Sequence, residues 1–139
     1  QSIISHILRA QEPTVSCINS ISQRAALAAL LGPQDCVAEM RAAYAARCRL
    51  VSGILDAHGL AYSTPRGAFY TMVDISPSGL DDLDVSRRLV AEHRVAVAPG
   101  TAFGPGSGHF VRLSLASADD VLREGTTRVA AAINTWASA

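Results

Sequence analysis

Residues 95–116 read VAVAPGTAFGPGSGHFVRLSLA, and this stretch decides the fold. Its two ends, VAVA and FVRLSLA, have the apolar patterns of short β-strands, and a loop rich in glycine and proline joins them. Alternation places three apolar residues of the second strand on one face, namely Val111, Leu113 and Leu115. The pattern therefore predicts a strand with one apolar face and a permanent positive charge, Arg112, at the centre of the other.

The rest of the chain predicts helices and one further strand around this stretch. Helical periodicity covers residues 22–31, 33–59, 81–94 and 117–137, the last with Ser117 as N-cap, and residues 68–76 alternate as a strand. A short amphipathic start, residues 1–14, ends near Pro13. The order helix, helix, strand, helix, strand, strand, helix predicts an α+β fold, with a small mixed or antiparallel sheet of about three strands covered by helices.

The helix predicted over residues 33–59 carries the longest apolar stripe. Pro33 and Asp35 open it and Gly59 closes it. The stripe repeats at three- and four-residue steps and consists of Val37, Met40, Tyr44, Cys48, Val51, Leu55 and His58. We expect this stripe to dock on the sheet.

The composition describes a globular domain without an evident polyanionic partner. The chain has 139 residues, 49% of them hydrophobic, and a formal net charge of zero. This balance gives no electrostatic reason to expect nucleic acid or an anionic membrane as a partner. No apolar run approaches the ~20 residues of a membrane span, and the first residues do not resemble a signal peptide. We therefore expect a cytoplasmic protein.

The three cysteines do not predict a disulfide framework, because their number is odd. Cys36 and Cys48 lie on one predicted helix and stand ~18 Å apart at ~1.5 Å of rise per residue, too far to bridge. We expect Cys17, Cys36 and Cys48 to be buried, reduced thiols.

Two apparent motifs in the loop do not predict chemistry. Gly104, Gly106 and Gly108 resemble a phosphate loop, but such a loop leads into a helix, whereas this one leads into a strand. His109 has no strained serine elbow and no acid placed to orient it, so a surface histidine is expected. The remaining histidines lack the spacing of metal ligands, and no metal is expected.

Arg112 has two interpretations from the residues alone. It is either an arginine of an edge strand facing water, or a clamp for a carboxylate. The clamp interpretation depends on the planar guanidinium, which matches a carboxylate with two parallel hydrogen bonds and stays charged at any working pH.

Several ordered segments together resemble a known family. They are SISQRAALAAL with GPQDCVAEMRAAYAARCRLV, then TPRGAFYTMVDIS, then VAVAPGTAFGPGSGHFVRLSLA, then EGTTRVAAAI. Within them Gly67-Ala68-Phe69-Tyr70, Pro99-Gly100, Phe103-Gly104 and Arg112 follow the family's order and spacing. The chain resembles the C-terminal small domain of pyridoxal-phosphate-dependent aminotransferases of class I/II, fold type I.

The resemblance implies a role for two residues and a cofactor held elsewhere. Arg112 is expected to bind the α-carboxylate of an amino-acid substrate, and Phe69 is a second candidate for substrate contact, with core packing as its alternative. In the family, pyridoxal 5′-phosphate is attached through a lysine of the large domain. All twelve basic residues here are arginine. We therefore expect no catalytic residue and no covalently bound cofactor in this chain, which by itself would be inactive.

The resemblance also implies domains and partners. Residues 1–31 are expected to be a linking helical segment from the end of the large domain, and residues 32–139 the small domain. The parent enzyme would move an amino group between an amino acid and a 2-oxo acid, as a homodimer, with this chain supplying Arg112 and domain closure. Two alternatives stay open: a stand-alone amino-acid-binding or regulatory module, and the small domain of a C–S lyase or synthase of the same fold type.

Overall fold

The computed structural model describes residues 2–15 and 17–138. The helices are α1 (Ser2–Thr14), α2 (Ser20–Leu31), α3 (Asp35–Ala57), α4 (Asp82–His93) and α5 (Asp119–Ala137), and the strands are β1 (Tyr70–Asp74), β2 (Ala98–Pro99) and β3 (Phe110–Ser114). Two short 3₁₀ turns span Ser76–Ser78 and Gly100–Phe103. None of the described helices is both long enough and apolar enough to cross a membrane.

The chain divides into two compact units, residues 1–38 and 39–139. The sequence-based boundary between residues 31 and 32 stays a prediction. In the first unit, Asn19 caps α2, because its side-chain oxygen accepts a hydrogen bond from the Ser22 backbone N–H at 2.8 Å. The helix α2 has no buried residue, and its large apolar side chains are exposed, Ile21 to 81% and Leu30 to 78%.

The second unit contains an antiparallel sheet in the order β1-β3-β2. The central strand β3 pairs with β1 in a register that places Met72 beside Arg112, and with β2 in a register that places Ala98 beside Arg112. Because alternate strand residues point to opposite faces, this register gives the sheet one buried and one open face. The predicted α+β fold with a small antiparallel sheet is confirmed.

The buried face of the sheet packs on the helices of the second unit. Its core side chains are Thr71, Val73, Val111 and Leu113, and the helices contribute Val51, Leu55, Val85, Leu89, Val129, Ala130 and Ile133. Burying a side chain of this size contributes about 1.5–3 kcal/mol. Within residues 39–138 these helices therefore cover the face opposite Arg112 and leave the face that carries Arg112 uncovered.

The predicted stripe of α3 is buried only in part. Val51 and Leu55 belong to the core, whereas Val37 and Met40 are more than half exposed. The C-terminal half is additionally tied to α5, since Arg47 pairs with Asp119 at 2.9 Å and Asn134 donates to the His58 carbonyl at 3.0 Å. The expectation that the whole stripe docks on the sheet is therefore wrong for its first two turns.

The predicted strand VAVA is much shorter than expected, because only Ala98 of it pairs with β3. Arg94 is the left-handed C-cap of α4 and the Val95 N–H donates to the Leu89 carbonyl, so these residues still belong to the end of the helix and not to a strand. Residues 95–97, which precede Ala98, do not pair with β3, and a cavity of about 360 Å³ lies there, lined by residues that include Ala96, Leu113 and Ser117.

Two further local predictions are wrong. The N-cap of α5 is Ala118 rather than Ser117, and no side chain caps it. The cysteines are free thiols, but they are not buried: Cys17 and Cys36 are exposed, and Cys48 is half-buried.

Candidate functional site

Arg112 lies at the centre of the open face of the sheet. Its neighbours along the strand, Val111 and Leu113, are buried in the core, and both flanking strands pair with its position. A central strand held from both sides gives its backbone little freedom. The side chain is therefore presented from a rigid element, which suits a recognition residue.

Two aromatic rings contact the Arg112 guanidinium. Its Cζ lies 4.1 Å from the ring centroid of Phe103 and 5.1 Å from that of Tyr70. Both distances fall within the range of cation–π attraction, worth about 0.5–1 kcal/mol each at exposed sites. Within residues 39–138, no aspartate or glutamate forms an ion pair with Arg112. The side chain is thus half-buried and held by rings, and its charge is left without a carboxylate.

Phe103 reaches Arg112 from the turn Gly100–Phe103. The Thr101 backbone N–H and hydroxyl both donate to Oδ2 of Asp82, each at 2.7 Å. Asp82 is only 3% exposed. The backbone hydrogen bond from Thr101 is the main cause that lowers the pKa of Asp82 below its ordinary value, against the opposing effect of burial.

Phe69 lies beside this arrangement rather than on Arg112 itself. Its ring centroid is 5.7 Å from that of Tyr70 and 6.4 Å from that of Tyr44. Phe69 is 51% exposed and does not belong to the buried core of residues 39–138. Ala68 has a φ of 62°, a left-handed conformation that delays the strand, so β1 starts at Tyr70 instead of the predicted Ala68.

A groove of about 580 Å³ adjoins Phe69. Apolar and aromatic side chains, Tyr44 and Cys48 among them, line it together with Arg41, Arg49 and Arg66. Tyr70 contacts both residues: its ring lies against the ring of Phe69 and against the guanidinium of Arg112. Phe69 and Arg112 are therefore parts of one continuous surface.

Four residues of this site were not singled out from the sequence: Tyr70, Asp82, Thr101 and Phe103. Tyr70 and Phe103 belong to motifs that the sequence analysis names. A local sequence pattern does not predict, however, which distant side chain an aromatic ring will contact. The other loop candidates behave as predicted, because the glycine-rich loop leads into β3 and His109 is exposed. Among the described residues, no three His, Cys, Asp or Glu side chains come together as metal ligands.

Fold and site together define an α+β domain whose open sheet face presents an arginine with aromatic neighbours. The family model of class I and II aminotransferases matches residues 1–129. The chain belongs to this family.

Relatives with known names support the same assignment. The chain is 39% identical over 129 residues to a probable N-acetyl-LL-diaminopimelate aminotransferase of Bacillus subtilis, covering 93% of this chain and 33% of that protein. It is 38% identical over 143 aligned residues to an aspartate aminotransferase of Rhizobium meliloti, covering 95% and 34%. The chain thus spans about a third of the length of the curated relatives it matches.

A solved structure shows the same fold. The aromatic aminotransferase from Pyrococcus horikoshii superimposes with a TM-score of 0.84 and 35% identity, over 96% of this chain and 36% of that one. The comparison confirms the predicted likeness to aminotransferases.

Proposed function

We propose that the protein carrying this chain is a pyridoxal-phosphate-dependent aminotransferase, and that Arg112 binds the α-carboxylate of its amino-acid and 2-oxo-acid substrates. The observation that carries the proposal is the state of Arg112. It is fixed on a central strand, ordered by Phe103 and Tyr70, and without a carboxylate partner in residues 39–138. A guanidinium in this state has its fork of donors available for an incoming carboxylate.

The residues of this chain do not fit covalent attachment of the cofactor. The family's attachment needs a lysine, and the sequence contains none. The chain's proposed contribution is therefore to bind and orient the substrate through Arg112 and to help close the site over it. The lysine and the remaining contacts to pyridoxal phosphate are proposed to come from a large domain.

Further parts of the proposal concern Phe69, location and assembly. Phe69 is proposed to contact the substrate side chain, because it is half-exposed and adjoins the surface around Arg112. A cytoplasmic location is supported by the three free thiols. Assembly as a homodimer is part of the same proposal.

Neither alternative function gains support from an observation. The named relatives are aminotransferases, which does not favour a stand-alone amino-acid-binding module. The same names do not favour a C–S lyase or synthase.

The test is kinetic, in the enzyme that carries this chain. Arg112→Ala should lower kcat/KM by about a hundredfold to several thousandfold, because removing one partner of a buried charged pair costs about 3–5 kcal/mol and ~1.4 kcal/mol is tenfold. Arg112→Lys should restore only part, since a point charge cannot reproduce the two-pronged contact. The cofactor absorption should be the same in both variants.

A matched control is Arg123→Ala on α5, which removes an exposed arginine outside this surface. It should leave kcat/KM within about twofold of the unmodified enzyme, as expected for an exposed charge. Near-normal kcat/KM in Arg112→Ala would overturn the assignment.

A further inference from the structure

Asp82 has a buried carboxylate whose partner lies nineteen residues further along the chain. One of its oxygens, Oδ2, accepts both the backbone N–H and the hydroxyl of Thr101 at 2.7 Å. Hydrogen bonds to a charged acceptor are stronger than neutral ones. The carboxylate also lies in the first turn of α4, where the helix dipole favours a negative charge. Asp82 therefore holds Thr101 firmly against the start of α4.

The segment that follows Thr101 is short and constrained. Thr101 is the second residue of the 3₁₀ turn Gly100–Phe103, and its carbonyl accepts the Gly104 N–H at 3.4 Å. Gly100 is buried, and a Cβ at this position would clash with the carbonyl oxygens of Ser107 and Phe110. Because the turn is held at its first two residues, the position of Phe103 follows from them.

Phe103 is an exposed aromatic residue that does not belong to the buried core of residues 39–138. Its side chain is 46% exposed, although its ring lies 4.1 Å from Cζ of Arg112. The place of an exposed ring depends mainly on the backbone that carries it. Loss of the contact between Asp82 and Thr101 is therefore transmitted to the ring beside the guanidinium.

We propose that Asp82 is a positioning residue for Arg112. By holding Thr101 it keeps Phe103 against the guanidinium, so that the donor fork of Arg112 is presented in one orientation. A fork ordered in advance loses less conformational freedom when a carboxylate binds. This inference rests on the proposed function of Arg112, but the contact between Asp82 and Phe103's turn can be tested without any substrate.

The first experiment observes Arg112 directly, by NMR of the 139-residue chain. The Nε–Hε resonance of Arg112, assigned by its loss in Arg112→Lys, should be displaced by the ring current of Phe103. Phe103→Leu should return it towards the position of a solvated arginine. Asp82→Ala and Thr101→Val should move it in the same direction, whereas Thr101→Ser, which keeps both donors, should not.

An Arg112 resonance that moves in Phe103→Leu but stays in place in Asp82→Ala would overturn the proposal. Should Asp82→Ala fail to fold, the pair Thr101→Val and Thr101→Ser takes its place, because Thr101→Val loses the hydroxyl donor to Oδ2 of Asp82 and keeps only the backbone N–H, whereas Thr101→Ser keeps both donors. Identical Arg112 resonances in that pair would equally overturn it.

The second experiment measures the consequence for substrate in the enzyme that carries this chain. Asp82→Ala should raise KM for the amino acid about five- to tenfold, the loss expected for roughly one hydrogen bond, with kcat and cofactor absorption nearly unchanged. Thr101→Ser should behave as the unmodified enzyme. An unchanged KM in Asp82→Ala, where Arg112→Ala has lost activity, would overturn the proposal; if Arg112→Ala retains activity, the proposed function fails and the NMR result alone decides on Asp82.

Discussion

At the residue scale, the Arg112 guanidinium is ordered by its neighbours while its hydrogen-bond donors stay available to a carboxylate. A carboxylate beside it would compete with a substrate acid, whereas Phe103 and Tyr70 attract the guanidinium through their faces and leave its edge donors available. Val111 and Leu113, buried below, fix the backbone. Aromatic neighbours and a central strand thus give order to a cation without occupying its hydrogen-bonding capacity.

Phe69 provides the prediction that belongs to this scale. We expect Phe69→Leu to lower kcat/KM about tenfold for an aromatic amino acid and less for alanine. Leucine offers less contact area than phenylalanine, and a large substrate side chain loses more of that contact than the methyl group of alanine does. Steady-state kinetics on the two amino acids measure the ratio. Val121→Ala, which alters an apolar side chain of α5 that is 56% exposed, is the control. Equal losses for both amino acids would contradict a role in side-chain recognition.

At the element scale, the turn Gly100–Phe103 connects a helix start to the sheet. It is anchored to α4 through Asp82, and it precedes the loop that returns to β3. A rigid turn between two short strands lets an exposed ring take a defined position. The hydrogen bonds from Thr101 are made to a charged carboxylate, so the stability of this region should depend on pH.

The acid prediction follows from the lowered pKa of Asp82, whose ordinary value is 3.8. A carboxyl with a lower pKa in the folded state contributes stability that is complete above its unfolded pKa and is lost as the pH falls through the folded pKa. The free energy of unfolding of the unmodified chain should therefore exceed that of Asp82→Asn at pH 7, and the gap should narrow below about pH 4. Urea unfolding across this range measures it, and a gap independent of pH would contradict the prediction.

At the scale of the whole molecule, the two units differ in how their apolar residues are used. In residues 39–139 the large apolar side chains form a core between the sheet and its helices. In the first unit the apolar side chains of α1 and α2 are largely exposed, including Ile3 at 73% and Leu31 at 78%. Apolar surface of this kind marks an interaction site or causes association.

We expect the chain alone to self-associate through these helices. Sedimentation velocity from micromolar to millimolar concentration should show a mass that increases with concentration. The double variant Ile21→Glu, Leu30→Glu should reduce association, because a charge at an apolar contact is costly to bury. Leu83→Glu, at an exposed apolar position of α4, is the matched control. A monomer at every concentration would show that the exposed residues do not drive association.

The sequence by itself determined the class of fold, the order of the elements and the position of Arg112 at the centre of β3. Alternation and helical periodicity are local properties, so they located β3, α4 and the buried face with Val111 and Leu113, and they placed Arg112 on the opposite face. The resemblance of the ordered motifs then indicated the family that the comparisons confirm.

Only the tertiary structure decided what surrounds Arg112 and where the predicted elements stop. Phe103 reaches the guanidinium because Asp82 holds Thr101 nineteen residues away, and no local pattern encodes a contact between such distant positions. The strand VAVA is shortened because Arg94 and Val95 still form the C-terminal cap of α4, with Arg94 in the left-handed conformation and the Val95 N–H on the Leu89 carbonyl. In each case a group could contact several different residues, and the path of the folded chain determines which of them lies within reach.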